Sequence, residues 1–231
     1  MTGIIAAMDI EERGLRALME RTETRRIGGI DFTVGRIGAE QVITAVCGMG
    51  KVFAAMCAQT MILEFAPDVI INTGVAGTLS PELHIGDAAV AADLVQHDLD
   101  TSAIGNPVGF MPELGISNIP ADEKTAALLM EGAAECGVKS LWGTIASGDK
   151  FMSDRGEKEL LVRRFNAIAC EMEGAAIAQV CRVNGTPFGV LRAISDEADG
   201  GAADDFAAFA AQAAEKTVNI LKYFVERKSL I

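Results

Sequence analysis

Residues 167–181, "AIACEMEGAAIAQVC", place Glu171 and Glu173 on either side of Met172, in an apolar run with no cationic residue. Burying an unpaired carboxylate is costly, so two of them at core positions call for a use. An ionised glutamate accepts on both oxygens and suits two neighbouring hydroxyls, as on a ribose. Acidic and glycine-rich steps recur where other apolar runs stop: "MDIEE" (8–12), "CGMGK" (47–51), "NTGVAG" (72–77), "SGDKFM" (147–152) and "RAISDEAD" (192–199). Gly and Asp are ordinary turn residues, so each step alone is weak. Glycines nonetheless let backbone approach a ligand closely, and six such steps in 231 residues point to one shared site.

The elements that must position these steps follow from periodicity and punctuation. Residues 3–8 suit a buried strand opening into a helix over about 10–21. Residues 30–38 and 41–48 alternate like paired strands around a "GAE" turn. Residues 50–66 are apolar nearly all round and predict a buried helix, broken by Pro67. Strands are expected over 68–77 and 87–98, then an irregular stretch over about 100–120. Residues 122–137 predict an amphipathic helix ended by Gly137. Beyond it come a strand over 141–149, a helix over 154–165, a strand over 167–170 and a helix over 173–184. A last strand covers 188–196, and a C-terminal helix, roughly 204–227, keeps Phe206, Phe209, Ala213, Ile220 and Phe224 near one face. Strands alternating with helices call for an α/β fold whose mostly parallel, twisted sheet is covered on both sides. No repeat or linker divides residues 1–231, so a single domain is expected.

In open α/β sheets ligands gather beyond the carboxyl ends of the strands. That rule puts "CEME" at the mouth of the sheet, where water or ligand hydroxyls would reach both carboxylates. Glu173 would sit at a helix N-terminus, which favours its anionic form.

The chain carries 32 acidic and 20 basic residues, a formal charge of −12, and no basic run beyond short "TRR" and "VRR" steps. A nucleic-acid surface is therefore not expected. Five cysteines without metal-type spacing read as small core residues in a reducing compartment. The N-terminal stretch resembles neither a signal peptide nor a membrane span, so a cytoplasmic protein without membrane attachment is expected. His84 and His97 are isolated, and no metal or cofactor is expected. "GMGK" lacks the full phosphate-loop spacing, and Lys51 reads as a solvated charge at a helix start.

The motifs "GIIAAMDIEE", "GMGKVFAA", "PDVIINTGVAG", "SGDKF", "EMEGAAIAQVC" and "RAISDEAD", in this order, resemble the nucleoside phosphorylase/hydrolase superfamily nearly end to end. They resemble most the 5'-methylthioadenosine/S-adenosylhomocysteine nucleosidases. The resemblance implies a mixed, barrel-like central sheet flanked by helices, a homodimer, and hydrolysis of the bond between adenine and a 5'-thio-substituted ribose. Matched position by position, Asp196 resembles the acid that protonates the purine at N7, and Ser195 the residue that holds that carboxyl. Glu173 resembles the ribose-hydroxyl acceptor, with Met172 packing against the sugar. Glu11 resembles the base that activates water, and Arg192 its neighbour in that polar network. Phe151 resembles the residue whose ring and main chain meet the adenine; Met152, Ala76 and Gly77 fall in the same binding motifs. Met8, Met49 and Phe206 resemble the apolar wall around the 5' group, and Ile104 and Pro112 a contribution to that wall from the partner subunit. Val75 stands where many relatives carry serine, which leaves only backbone contacts there. Residues 101–112 match loosely.

Cleaving an N-ribosidic bond builds positive charge on the sugar and negative charge on the departing purine, and a general acid relieves the latter. A carboxylic acid does so near neutral pH only if its pKa is raised. Asp196, after the apolar run 188–195, is placed for that, whereas Arg192 need not point at it. Taken alone, Asp196 equally suits a helix cap, and Glu11 and Glu173 suit helix starts. Glu171 reads as a helix-start acid or a structural acceptor. The alternatives are a purine nucleoside phosphorylase, a futalosine-type nucleoside hydrolase and a non-catalytic nucleoside sensor. The acidic Asp9, Glu11 and Glu12 would repel a phosphate dianion, which favours water as the nucleophile.

Overall fold

In the computed structural model, residues 1–228 are described; residues 229–231, the end of the expected 1–231 domain, lie outside the described residues. In chain order the first half comprises β1 (Thr2–Ala6), α1 (Asp9–Arg16), β2 (Glu20–Ile27), β3 (Ile30–Ile37), β4 (Glu40–Val46), α2 (Lys51–Phe65), β5 (Val69–Thr78) and β6 (Ala88–Gln96). The second half comprises β7 (Asn118–Pro120), α3 (Glu123–Glu135), β8 (Ser140–Ser147), α4 (Arg155–Phe165), β9 (Ala167–Glu171), α5 (Gly174–Asn184), β10 (Phe188–Asp196) and α6 (Ala202–Lys228).

The strands form one mixed sheet, and five of them close on themselves in the order β5–β10–β6–β8–β9–β5. β5 makes this closure possible. It pairs in parallel with β10 along nearly its whole length and with β1 over its first half, while its end meets β9 antiparallel at Gly77–Cys170 and Thr78–Ala169. From β5 the sheet continues outward through β1, β4, β3 and β2. The expected barrel-like mixed sheet is thus what forms, with β10–β6, β5–β9, β6–β7 and the β2–β3–β4 meander as its antiparallel joints.

Side chains alternate across the strands. On β1, Ile5 joins a core under α2 and α5, and Ile4 joins a second core under α1, α3 and α6. Asp122 and Asp154 cap α3 and α4 by accepting from the Thr125 and Glu157 backbone N–H groups, at 2.8 and 2.9 Å. No helix among the described residues is long and apolar enough to cross a membrane.

Five local expectations need correction. The first helix stops at Arg16, and residues 20–27 form the exposed edge strand β2, whose "ERTETRRI" carries no apolar alternation and is ordered by its pairing with β3. The stretch 100–120 contains a 3₁₀ turn at Ser102–Ile104 and the short β7. Helix α2 is not buried all round: Ala54, Cys57, Ala58 and Met61 face the core, while Val52, Phe53, Met56 and Leu63 are exposed. Of the five cysteines, Cys136 is exposed and only the other four lie in the core. On α6, Ala213, Ile220 and Phe224 are buried as expected, but Phe209 is 36% exposed.

Candidate active site

The carboxyl ends of β1, β5, β8, β9 and β10 converge on a mostly apolar cavity of about 240 Å³. The N-cap and first turn of α1 deliver Met8 and Glu11, the end of β5 delivers Val75, Ala76 and Gly77, and the segment after β8 delivers Phe151 and Met152. Met172 and Glu173 follow β9, Ser195 and Asp196 end β10, and Met49 and Phe206 complete the wall. The Phe151 and Phe206 rings meet edge-on, 5.7 Å between centroids.

Of the four buried carboxylates in this lining, Glu11, Glu173 and Asp196 stand in different settings. Glu11 is the third residue of α1, and its Oε2 accepts from the backbone N–H groups of Ala7 and Met8, both at 2.9 Å. Its Oε1 accepts from the Val75 N–H at 3.0 Å, so position 75 contributes through backbone alone, as a valine must. Burial pushes the Glu11 carboxyl above its ordinary pKa, although Arg192 and these N–H donors pull the other way. Glu173 accepts on Oε1 from the Gly50 N–H at 2.8 Å. Burial raises its pKa to about 7; Arg192 opposes the shift and the neighbouring Glu171 adds to it. Asp196 accepts from Ser195 Oγ and from the Ala198 N–H, both at 2.9 Å. Burial raises its pKa too, against those two hydrogen bonds.

Glu173 sits at the α5 N-terminus as expected, but the carboxylate that binds the helix N–H groups is that of Glu171, the helix-start or structural acceptor of the sequence reading: its Oε2 accepts from the N–H groups of Glu173 and Gly174, at 3.0 and 2.7 Å. The same carboxylate accepts from Arg192 Nη2 and from the Ser147 hydroxyl. Glu171 lines the cavity, yet both its oxygens are committed to protein donors. Glu173 makes no capping bond to α5, so the anionic form expected from a helix start is not what its surroundings favour. The cation absent from the local sequence arrives from β10, 21 residues downstream.

Arg192 lies beneath the cavity floor rather than in its lining. Its Nη2 donates to Asn72 and Glu171 and stands 3.5 Å from Glu173 Oε2. Burial disfavours its charge, but Glu171, Glu173 and Glu11 outweigh that and hold the guanidinium protonated. Gly74 makes room for this packing: a Cβ there would stand 2.6 Å from Glu11 Oε1 and nearer still to Arg192 Nη1.

Ile104 is 80% exposed, and neither it nor the exposed Pro112 lines the cavity of its own chain. Lining groups that the sequence did not single out are Ala7, Lys150, Cys170 and Ala203. All but Ala203 adjoin or fall within quoted motifs, which was the available signal. Lys51 is half-buried and paired, not fully solvated: its Nζ donates to Asp98 Oδ1 at 2.6 Å and to Gln96 Oε1 at 3.2 Å. Among the described residues no His/Cys/Asp/Glu group is arranged to hold a metal ion.

The phosphorylase superfamily model matches residues 2–226. A 5'-methylthioadenosine/S-adenosylhomocysteine nucleosidase from Shewanella halifaxensis is 41% identical, over 88% of this chain and 89% of that protein. The nucleosidase of that name from Neisseria meningitidis, solved with methylthio-immucillin-A, superposes with a TM-score of 0.94 at 32% identity, covering 97% of this chain and 98% of that one. A futalosine hydrolase from Helicobacter pylori also superposes with a TM-score of 0.94, at 40% identity, covering 98% of this chain and 97% of that one. With the sheet closed as expected and three carboxylates on one cavity, the chain belongs to the phosphorylase superfamily and, within it, to the 5'-methylthioadenosine/S-adenosylhomocysteine nucleosidases.

Proposed function

We propose that this chain hydrolyses the N-ribosidic bond of 5'-methylthioadenosine and S-adenosylhomocysteine and releases adenine. The observation that carries the reading is the convergence of Glu11, Glu173 and Asp196 on one cavity. Asp196, whose carboxyl burial pushes above its ordinary pKa, gives its proton to purine N7 as the C1'–N9 bond breaks and the electron pair leaves with the base. Ser195 Oγ holds that carboxyl in orientation. Such a proton transfer contributes roughly 10²–10⁴-fold. Glu173 accepts from the ribose hydroxyls, with Met172 against the sugar. Glu11 takes the proton of a water that adds to C1' from the opposite face, as in inverting glycoside hydrolysis. Arg192 acts from below, through the carboxylates, and touches no substrate.

Charge favours water over phosphate as the nucleophile. The lining holds four carboxylates and, as its one cation among the described residues, Lys150, whose ammonium is engaged by Glu157 at 2.5 Å. A phosphate dianion requires several such cations. Phe151, Met152, Ala76 and Gly77 form the purine end, and Met8, Met49 and Phe206 the 5' end. A homodimer completes the latter: Met49 is 63% exposed at the rim, Ile104 and Pro112 have no cavity in their own chain, and α2 leaves an apolar face uncovered. The free cysteines suit a cytoplasmic setting.

A second reading, hydrolysis of futalosine-type nucleosides, is favoured by the Helicobacter pylori futalosine hydrolase likeness. Incubation with methylthioadenosine, S-adenosylhomocysteine and futalosine, with and without phosphate, separates the readings. Phosphate-independent release of adenine from the two thio-nucleosides is the expected result, and release of the base from futalosine alone would carry the second reading instead. Strict phosphate dependence would replace hydrolysis by phosphorolysis, and tight binding without release would make the chain a sensor.

A further inference from the structure

Two motifs on the cavity rim, "GMGK" and "SGDK", contribute more than lining. Three residues from distant parts of the chain close a ring of hydrogen bonds beside the cavity. Lys51 Nζ donates to Asp98 Oδ1 at 2.6 Å, the Asp149 N–H donates to Asp98 Oδ2 at 2.8 Å, and the Lys51 N–H donates to Asp149 Oδ1 at 2.8 Å. Asp149 thereby serves as the side-chain cap of α2, which has no cap of its own because Gly50 occupies that position. Gly50 has φ +96°, a conformation natural to glycine, and a Cβ there would meet Asp149 Oδ1 at 3.0 Å. Its N–H points to Glu173 Oε1, 2.8 Å away. Lys51 also donates to Gln96, and Gln96 donates to Gln179 on α5, the helix that begins just past Glu173. Both the donor to Glu173 and the helix that carries Glu173 are therefore fastened to one ammonium group.

We propose that the Lys51–Asp98–Asp149 ring is a positioning device for ribose recognition: it aims the Gly50 N–H at Glu173 and so fixes which oxygens of that carboxylate remain for the sugar hydroxyls. The proposal rests on the nucleosidase reading above. Lys51, Asp98 and Asp149 are positioning residues and act on the substrate only through Glu173. A charge-assisted bond between partly buried groups holds geometry better than a neutral one, and displacement of a binding group by about 1 Å reduces rates substantially.

The test compares kcat/KM for methylthioadenosine with that for its 2'-deoxy and 3'-deoxy counterparts in wild type, Lys51→Met, Lys51→Arg and Asp98→Asn, alone and combined with Glu173→Gln. Lys51→Met is expected to lower kcat/KM for the ribonucleoside about tenfold and to leave at least one deoxy substrate nearly unaffected, so that discrimination collapses. Lys51→Arg should restore most of the loss, and neither ring substitution should add to the defect of Glu173→Gln, because coupled residues are non-additive. Asp98→Asn, which preserves shape, gives the same answer if Lys51→Met folds poorly. Equal losses on all three nucleosides, or losses that multiply with that of Glu173→Gln, overturn the ring's role while leaving the nucleosidase reading intact. A wild-type chain inactive on every nucleoside overturns both.

Discussion

Replacing Glu171 by glutamine tests the division of labour between the two glutamates. Glu171 accepts four hydrogen bonds, from Ser147, Glu173, Gly174 and Arg192, all of them buried. A glutamine can keep its oxygen toward Glu173, Gly174 and Arg192 and turn its amide to Ser147, whose hydroxyl can accept. Shape is kept and charge is lost. Breaking a buried ion pair by removing one partner costs ~3–5 kcal/mol, and the preserved geometry puts Glu171→Gln near the lower figure. For a chain of this size ~3 kcal/mol is a fall of roughly 6–12 °C in Tm. The second readout is the pH profile. Glu173 titrates at about 7 partly because Glu171 is negative. As the proposed hydroxyl acceptor it must be ionised, so kcat/KM rises with pH through that value. Without the charge at 171 the rising limb moves to lower pH, and Arg192, left with Glu173 at 3.5 Å, moves it further the same way. Calorimetry and a pH series of adenine release check both. A stability loss below about 1 kcal/mol, together with an unmoved limb, would refute the assignment of Glu171 as the structural member.

Asp196→Asn should reduce turnover by at least ~10²-fold, since the amide has no proton to give, while Tm stays level or rises because a buried carboxylate with a raised pKa is removed; near-normal adenine release would remove Asp196 from its role. Glu173 also makes stability depend on pH. Its folded pKa, about 7, lies above the ordinary 4.5, so the stability it favours is complete below the lower value and is lost as pH rises through the upper one. Glu173→Gln should flatten that fall in denaturant titrations across the window of the shift, from 4.5 to about 7. Gly74→Ala drives a methyl between Glu11 and Arg192, both fixed by their partners, and should cost at least about 1 kcal/mol along with most of the activity; a neutral outcome in melting and kinetics would show that the floor can move. Ala66, exposed in the left-handed region with φ +45° past the end of α2, should become about 0.5–1 kcal/mol more stable as glycine, a rise of a few degrees in Tm.

Much of the frame was legible because local punctuation is strong where elements end. Pro67 and the left-handed Ala66 stop α2, Gly137 follows α3, and Asp122 and Asp154 open α3 and α4. β2 was not legible. Its residues carry charge instead of alternation, and only the neighbouring β3 makes them a strand. The exposed side of α2 could not be foreseen either. Val52, Phe53 and Leu63 are as apolar as Ala54 and Met61, so composition does not say which residues face the core of the same chain. Closure of the barrel depends on β5 changing partners midway, a long-range pairing that leaves no local trace.

For the candidate site, residue types at strand ends pointed to what the structure shows as one shared cavity, and what stayed hidden was how charge is shared there. Sequence alone allows both Glu171 and Glu173 at the helix start. Their roles separate because Glu171 places its carboxylate over the α5 N–H groups while also reaching Arg192, whereas Glu173, at the N-cap position, makes no capping bond. The sharing has a chemical consequence. Glu11, Glu171 and Glu173 surround a single guanidinium, so the cluster holds more acid than base, and burial adds to the cost of ionising Glu11 and Glu173. An environment that resists its own negative charge lacks one cation. In the proposed reaction that cation is the ribose itself, which gains positive charge only as the bond to the purine stretches. Interactions that strengthen in the transition state, and not in the bound substrate, are the ones that raise kcat. A further fixed cation in the lining would neutralise the carboxylates beforehand and forfeit this advantage. On this argument Met8→Lys should bind nucleoside comparably yet turn it over more slowly, in single-turnover measurements of adenine release. An increase in the chemical step for that variant would contradict the account.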